Sequence, residues 1–424
     1  MNAICVVVDR LHAGYLGCYG NSWIATPSFD HLAGESFLFD QATIDTPDLA
    51  ALYRSYLLGQ HALSPDVDVE SLPRALRKLS VHSRLMTDDP LVAQLPLASD
   101  FSESIRVAFE RTGEVAEEID QTQTATLFAE AADWLAAAPE PFLLWIHSQG
   151  LGAVWDAPLE FRNRYADDPS VALYTSAEVP RRVLGDNYDP DEVLAMRWAY
   201  AGQVAHLDAC LGALVDLLDE TGLSKNTLLT VLSARGFPLG EHGRIGPTDS
   251  SAGENGVGVQ AGERLHAETM HVPWLIRLPQ REPGSDRGQA LVQPGDLMPT
   301  LLEWWGIESS GGGRWGKSLL PLLRDEKDSI RDRACAVAVP GEWAIRTPAW
   351  HLRQTDSASN AVDQKPAAEL YVKPDDRWEV NNVISRCPEI ASSLEAAFQQ
   401  CQQAIASGQT EDIAPLDEHL IVGN

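Results

Sequence analysis

Ala3-Ile4-Cys5-Val6-Val7-Val8-Asp9-Arg10 is the stretch that decides the fold. An unbroken apolar run rich in β-branched residues, too short for a helix of ordinary length, predicts a strand buried on both faces of a parallel sheet. It stops at a charged pair. Beyond it, Thr26 offers an N-cap to a helix opened by Pro27, with Phe29, Leu32 and Ala33 at helical spacing. An amphipathic helix is expected over Ala125 to Ala138, followed by a second buried strand, Phe142 to Ile146. A long helix from about Glu192 to Thr221 carries Leu194, Trp198, Leu207, Leu211, Leu214 and Leu218 on its apolar face. Thr227 to Leu232 is the third strand, with Ser233-Ala234-Arg235-Gly236 at its carboxyl end, and Val272 to Leu278 is the fourth.

Downstream the pattern changes. Asp296 is expected to cap a helix that tolerates Pro299 in its first turn and stops at Gly306. Ala334 to Val339, Glu342 to Ile345, Trp350 to Arg353 and Glu369 to Val372 read as short strands joined by turns, and Pro388 opens a last helix to about Ala406. The polar, glycine-rich stretch between Gly246 and Glu263 reads as a loop. The expected fold is α/β: a large, mostly parallel sheet flanked by helices over residues 1–325, and a smaller C-terminal α+β domain over 326–424 with short antiparallel strands and a terminal helix.

The 424 residues include 32 Lys+Arg and 61 Asp+Glu, a net charge of −29 with a pI near 4.6. That excludes nucleic acid and an anionic membrane surface as default partners, since both are polyanions. With 44% apolar and 22% charged residues the chain is globular in composition. Its six cysteines form no CxxC pair and no zinc-ligand cluster, so they read as buried thiols in a reducing compartment. With no signal-like N-terminus and no apolar run of about 18 residues, a cytoplasmic location is expected.

Ligands of open α/β sheets sit beyond the carboxyl ends of the strands. Asp9-Arg10 and Ala234-Arg235 both lie there, so Asp9, Arg10 and Arg235 are expected to face one pocket, with His242 of Gly240-Glu241-His242-Gly243 a further ligand-binding candidate. One carboxylate beside two arginines is not a hard-cation site, because calcium takes six or more oxygens. Thr43, Thr46 and Asp48 are the weak candidates for a nucleophile, and His147 reads as a core histidine. Gly311 to Ser318, GGGRWGKS, matches the phosphate-loop pattern letter for letter. It follows a helix instead of a strand, however, so it reads as a turn before Leu319-Leu320-Pro321-Leu322-Leu323.

Val6-Val7-Val8-Asp9, Gly17-Cys18-Tyr19-Gly20, Thr26 to Ala33, Pro141 to Trp145, Trp155-Asp156-Ala157-Pro158, Val231-Leu232-Ser233 before Gly240 to Gly243, Val272 to Arg277, Asp296 to Leu302, Gly316 to Leu320, and Glu369-Leu370-Tyr371 with Asn381-Asn382 follow one another along the chain. In that order they resemble the sulfatases of the alkaline phosphatase superfamily. The resemblance implies a Cys or Ser nucleophile in a CxPxR-type motif, matured to formylglycine, and a calcium ion holding the sulfate. Here the nucleophile position falls near Asp48 or Leu49, and neither CxPxR nor SxPxR occurs. The implied calcium ligands read Asp9-Arg10 and Ala234-Arg235, so Asp9 alone is retained and no metal is expected. The sulfate-contacting Lys and His fall at about Asp88 and Pro90, a further His falls near Gly152, and no Lys lies between His242 and Val272.

The resemblance therefore implies a sulfatase-like protein without the family's catalysis, with no cofactor and with a small anion (sulfate, phosphate or carboxylate) as the expected ligand of Asp9, Arg10 and Arg235. Arg10 and Arg235 together carry the charge of the missing calcium, and one of them is expected to pair with Asp9. Two alternatives stand beside this reading. One is an active sulfuric or phosphoric ester hydrolase with calcium and a non-standard nucleophile. The other is a structural subunit, in a homo- or hetero-oligomer, that pairs with an active homologue.

Overall fold

The computed structural model describes residues 1–110, 113–247, 264–279, 286–307, 314–339, 341–355 and 367–422. Most of the loop expected between Gly246 and Glu263, and Gly311 to Gly313 of the phosphate-loop match, lie outside them. The strands in chain order are β1 (Asn2–Val8), β2 (Phe37–Ala42), β3 (His82–Thr87), β4 (Glu103–Arg106), β5 (Phe142–Ser148), β6 (Arg182–Val183), β7 (Thr227–Ser233), β8 (Arg244–Ile245), β9 (Trp274–Arg277) and β10 (Asp286–Val292), then β11 (Ala334–Ala338), β12 (Glu342–Arg346), β13 (Trp350–Thr355) and β14 (Ala367–Val372). Eight of them form one sheet in the order β10-β2-β9-β7-β1-β5-β3-β4. Neighbours from β4 to β7 are parallel, whereas β9 runs against β7 and β2 against β9, so the sheet is mixed. This is the expected α/β sheet with an antiparallel flank.

Contacts divide the chain into two units, Met1–Asp40 with Pro73–Pro247 and Val272–Arg287, and Gln41–Leu72 with Thr248–His271 and Gly288–Asn424. Both units are discontinuous in sequence. Within the second, Gly316 donates to the Gly59 carbonyl at 3.2 Å, which ties the end of the helix Leu49–Leu58 to the chain after residue 314.

In the first unit β1 lies between β5 and β7, and Ala3 to Val7 are 0% exposed. Ile4, Val6 and Val8 pack into one apolar cluster with Phe29 and Leu32 of the helix Pro27–Gly34, Leu127 of Gln123–Leu135, and Trp198 and Leu211 of Pro190–Glu220. By strand alternation Ala3, Cys5 and Val7 face the opposite side. Thr26 does not cap the first helix: its hydroxyl accepts from Gly17, and Asp208 of the long helix accepts from the N–H groups of Ser28 and Phe29 at 3.1 and 2.8 Å. The helix Pro190–Glu220 is long and apolar enough to cross a membrane by composition alone, but 72% of its most apolar window is buried in the protein.

In the second unit β11 to β14 form an antiparallel sheet covered by the helix Pro388–Ser407, with Leu394, Phe398 and Cys401 against Ile345, Leu352 and Leu370. Asp296 organises the chain ahead of this sheet. Its carboxylate does not cap its own helix; it accepts from Gln293 N–H and Lys317 N–H, both at 2.8 Å, and from both terminal nitrogens of Arg331 at 2.5 Å. The backbone N–H that a phosphate loop would offer to a ligand is therefore already bound. Gly316 is required there because a Cβ would stand 1.9 Å from the Gly295 carbonyl oxygen. Gly316 to Ser318 are irregular backbone ahead of the short helix Leu320–Leu323, not the expected turn.

Asp296 is 0% exposed and the Arg331 side chain 4%. Asp296→Ala should lower stability by about 3–5 kcal/mol by stranding a buried guanidinium, read as a fall in the urea midpoint.

Candidate functional site

The site is built where β5, β1 and β7 end together. Val8 is level with both Ser148 and Ser233, and the chains are laced beyond that row. Asp9 N–H donates to the Ser148 carbonyl, Ala234 N–H to the Val8 carbonyl, and Leu11 N–H to the Ser233 hydroxyl, at 2.9, 3.1 and 3.1 Å. Gly150, at φ 54°, passes so close that a Cβ would lie 2.5 Å from the Asp9 carbonyl oxygen. These contacts hold Asp9 and Arg235 side by side.

Arg235 grips Asp9 with two parallel bonds, Nε to Oδ1 at 2.9 Å and Nη2 to Oδ2 at 2.5 Å. Arg10 Nε is 3.9 Å from the same carboxylate and its Nη1 donates to the Gly236 carbonyl at 3.3 Å. Burial acts most strongly on Asp9 and opposes its ionisation. The charge and hydrogen bond of Arg235, then Arg10 and His147, outweigh it and hold the carboxyl below its ordinary range. Asp9 is therefore an anion enclosed by cations.

Arg10 takes the left-handed backbone conformation, φ 68°, which a non-glycine residue adopts at a cost. Tyr200 stabilises it: its hydroxyl donates to the Arg10 carbonyl at 2.7 Å and accepts from His12 N–H at 2.8 Å. The aliphatic stem of Arg10 lies over Gly152, where a Cβ would meet Arg10 Cγ at 2.6 Å. Gly152 and the buried Arg10 thus fit only together. Arg181 is near enough for the charge of Arg10, after burial, to lower its pKa.

His147 is fully buried, with Nε2 3.9 Å from Asp89, and burial lowers its pKa. Asp89 caps the helix Pro90–Gln94, accepting from Leu91 N–H at 2.7 Å. Asp88 accepts from Gln149 N–H and Gln123 Nε2 at 2.6 and 2.8 Å, and burial pushes its pKa up to about 6. His242 stands in the turn Glu241–Gly243 at φ 50°, whereas the charges that act on Asp9 come from Arg235, Arg10 and His147. Tyr200 and Gly152 escape sequence reasoning, because nothing local links them to Arg10.

The nucleophile candidates belong to the second unit. Asp48 caps the helix Leu49–Leu58, accepting from Ala51 N–H at 2.8 Å, and the Thr46 hydroxyl accepts from Asp48 N–H at 3.2 Å. Thr43 is buried, with its N–H on the Val292 carbonyl at 3.0 Å. Leu49, which with Asp48 marks the implied nucleophile position, is buried and apolar. Asp45 holds this segment instead, accepting from the Ser55 hydroxyl at 2.6 Å and from Ala62 N–H at 2.9 Å.

The sulfatase family model matches residues 1–307, most of the chain. The protein belongs to the sulfatase family. This sulfatase-family chain is 21% identical to an N-acetylglucosamine-6-O-sulfatase of Bacteroides thetaiotaomicron over 91% of its own length and 83% of that protein. It is 33% identical to a multifunctional alkaline phosphatase superfamily protein of Trinickia caryophylli over 34% of this chain and 25% of that one. Among solved structures, the phosphonate monoester hydrolase of Agrobacterium radiobacter superposes with a TM-score of 0.73 at 17% identity, covering 98% of each chain.

A family calcium ion does not fit the donors present. Of the four implied ligand positions, Ala234 has no donor, Arg10 and Arg235 are cations, and both oxygens of Asp9 are engaged by Arg235. Two outcomes are expected. Arg235→Ala should cost about 3 kcal/mol in a denaturant titration, because Asp9 is left buried with only the more distant Arg10. The Asp88 carboxyl should titrate near 6 by carbon-13 NMR. Because its folded pKa is raised, this group adds to stability as pH falls through about 6 towards its unfolded value, opposite in sign to Asp9.

Proposed function

We propose that this sulfatase-family protein is catalytically inactive and binds a small oxyanion at Asp9, Arg10 and Arg235. The observation that carries the reading is the bidentate seat of Arg235 on Asp9: a guanidinium stands at the cation position, paired with the one retained ligand. Filling of the space over Gly152 by Arg10 supports it, and so do the two residues near the implied nucleophile position, Asp48 engaged as a helix cap and Leu49 apolar and buried. Without a nucleophile and a Lewis acid, the covalent step and its charge stabilisation have no carrier.

Anion binding is supported by the local charge. Arg10 and Arg235 act on Asp9, Arg181 is near enough to feel the charge of Arg10, and the Arg235 side chain is 17% exposed. A guanidinium can receive sulfate, phosphate or carboxylate in fork geometry. A reducing, cytoplasmic setting is part of the same reading, supported by the thiols of Cys5, Cys210, Cys335 and Cys401, all in the apolar core.

The test has two arms. Aryl sulfate, aryl phosphate and a phosphonate monoester, each with and without calcium, should show no turnover above buffer. Calorimetry with sodium sulfate should show saturable binding that the exposed-site variant Arg181→Ala weakens by about three- to tenfold. Calcium-dependent turnover abolished by Thr46→Ala would instead establish an active hydrolase.

A further inference from the structure

One cavity among the described residues has a basic lining. It lies wholly within the second unit, has a volume of about 980 Å³, and is lined by Arg314, Trp315, Lys317, Lys327, Arg331 and Arg333 among others. Five cations and three carboxylates face it, in a chain whose net charge is −29. The carboxylates are largely committed. Asp332 pairs with Arg333 at 2.8 Å, and Glu303 pairs with Arg324, outside the lining, at 3.1 Å. Arg331 is neutralised by Asp296 from below. That leaves Arg314, Lys317 and Lys327 against Glu411, a local excess of positive charge.

The floor is aromatic and the rim is polar. Trp315 is 7% exposed, bonded through Nε1 to Gln293 Oε1 at 2.8 Å and covered by the Arg331 guanidinium 5.4 Å from its ring. Lys317 places one ammonium proton on the Ile330 carbonyl at 2.8 Å and keeps two more for a ligand. Partial burial, then the charge of Arg331, lowers its pKa, the condition of a cation that gains from an arriving anion. The cavity is several times larger than one tetrahedral oxyanion and within the range of sites for small organic ligands.

We propose that this cavity is a second anion site, which binds a sugar-sized molecule bearing a phosphate or sulfate ester. The ester group sits among Lys317, Lys327 and Arg314, and the uncharged body fills the remainder. Nucleotide binding of the phosphate-loop type is not implied, since the Lys317 N–H is held by Asp296 and only the side chain is offered. This inference does not depend on the oxyanion reading of Asp9, Arg10 and Arg235.

Amine-acylation footprinting of the full-length protein tests it, with glucose 6-phosphate and glucose 6-sulfate as probes. Either ester at millimolar concentration should slow acylation of Lys317 and Lys327 by about threefold or more, leaving Lys78 and Lys225 unchanged. Glucose, inorganic phosphate, inorganic sulfate and sodium chloride at matched ionic strength should protect much less. Protection by one ester alone tells phosphate from sulfate as the preferred group. Lys327→Gln, at an exposed position, should keep the melting temperature and abolish protection of Lys317. Uniform protection of all four lysines, protection by sodium chloride alone, or no protection with either ester overturns the proposal. So does full protection of Lys317 in Lys327→Gln. Protection that persists in Arg235→Ala shows the site to be separate from the pocket at the strand ends.

Discussion

The pairing of Arg235 with Asp9 is the constraint around which the strand ends are arranged. A carboxylate that is 2% exposed cannot remain ionised without a partner, and two parallel charge-assisted bonds provide one. The sheet makes that geometry available, because parallel β1 and β7 end level and place Asp9 and Arg235 on adjacent chains. Tyr200, Gly150 and Gly152 then fit the backbone and the Arg10 stem around the pair. Sheet register, left-handed backbone at Arg10 and local electrostatics are thus one connected arrangement.

The same physics appears in the second unit with a different purpose. Asp296 and Arg331 form another buried carboxylate–guanidinium pair, and the carboxylate also takes two backbone N–H groups from residues 21 apart in sequence in one case and three in the other. It fixes loops, whereas the Asp9 pair faces the end of a sheet, where α/β folds bind ligands. Charge in this chain is therefore distributed unevenly: acidic overall, yet with cations concentrated at the strand ends and around the cavity lined by Lys317.

Legibility in the sequence followed burial. β1, β5 and β7 are covered on both faces, so each left an unbroken apolar run. β4 left none, because all four of its residues are exposed at the sheet edge, and β10 is interrupted by Gly288 and polar neighbours. Asp9, Arg10 and Arg235 were readable as strand-end residues, and the pairing of one arginine with Asp9 followed from charge. Their support was not readable. Tyr200 is 190 residues from Arg10, and the need for glycine at 152 arises only when the Arg10 stem is in place. The two cap assignments that failed, at Thr26 and Asp296, failed for a related reason: a distant partner, Asp208 or Arg331, rearranged the local hydrogen bonds. The discontinuous units were hidden likewise, since only folding brings Gly59 onto Gly316.

On the proposed reading, the Arg235 guanidinium stands on Asp9 where the family's cation would be held. Calorimetric titration of the wild-type protein with calcium chloride tests it most directly. Because calcium would have to displace Arg235 from both carboxylate oxygens, the account predicts no saturable binding up to about millimolar calcium. Stoichiometric binding in the micromolar range that disappears in Asp9→Asn would contradict it.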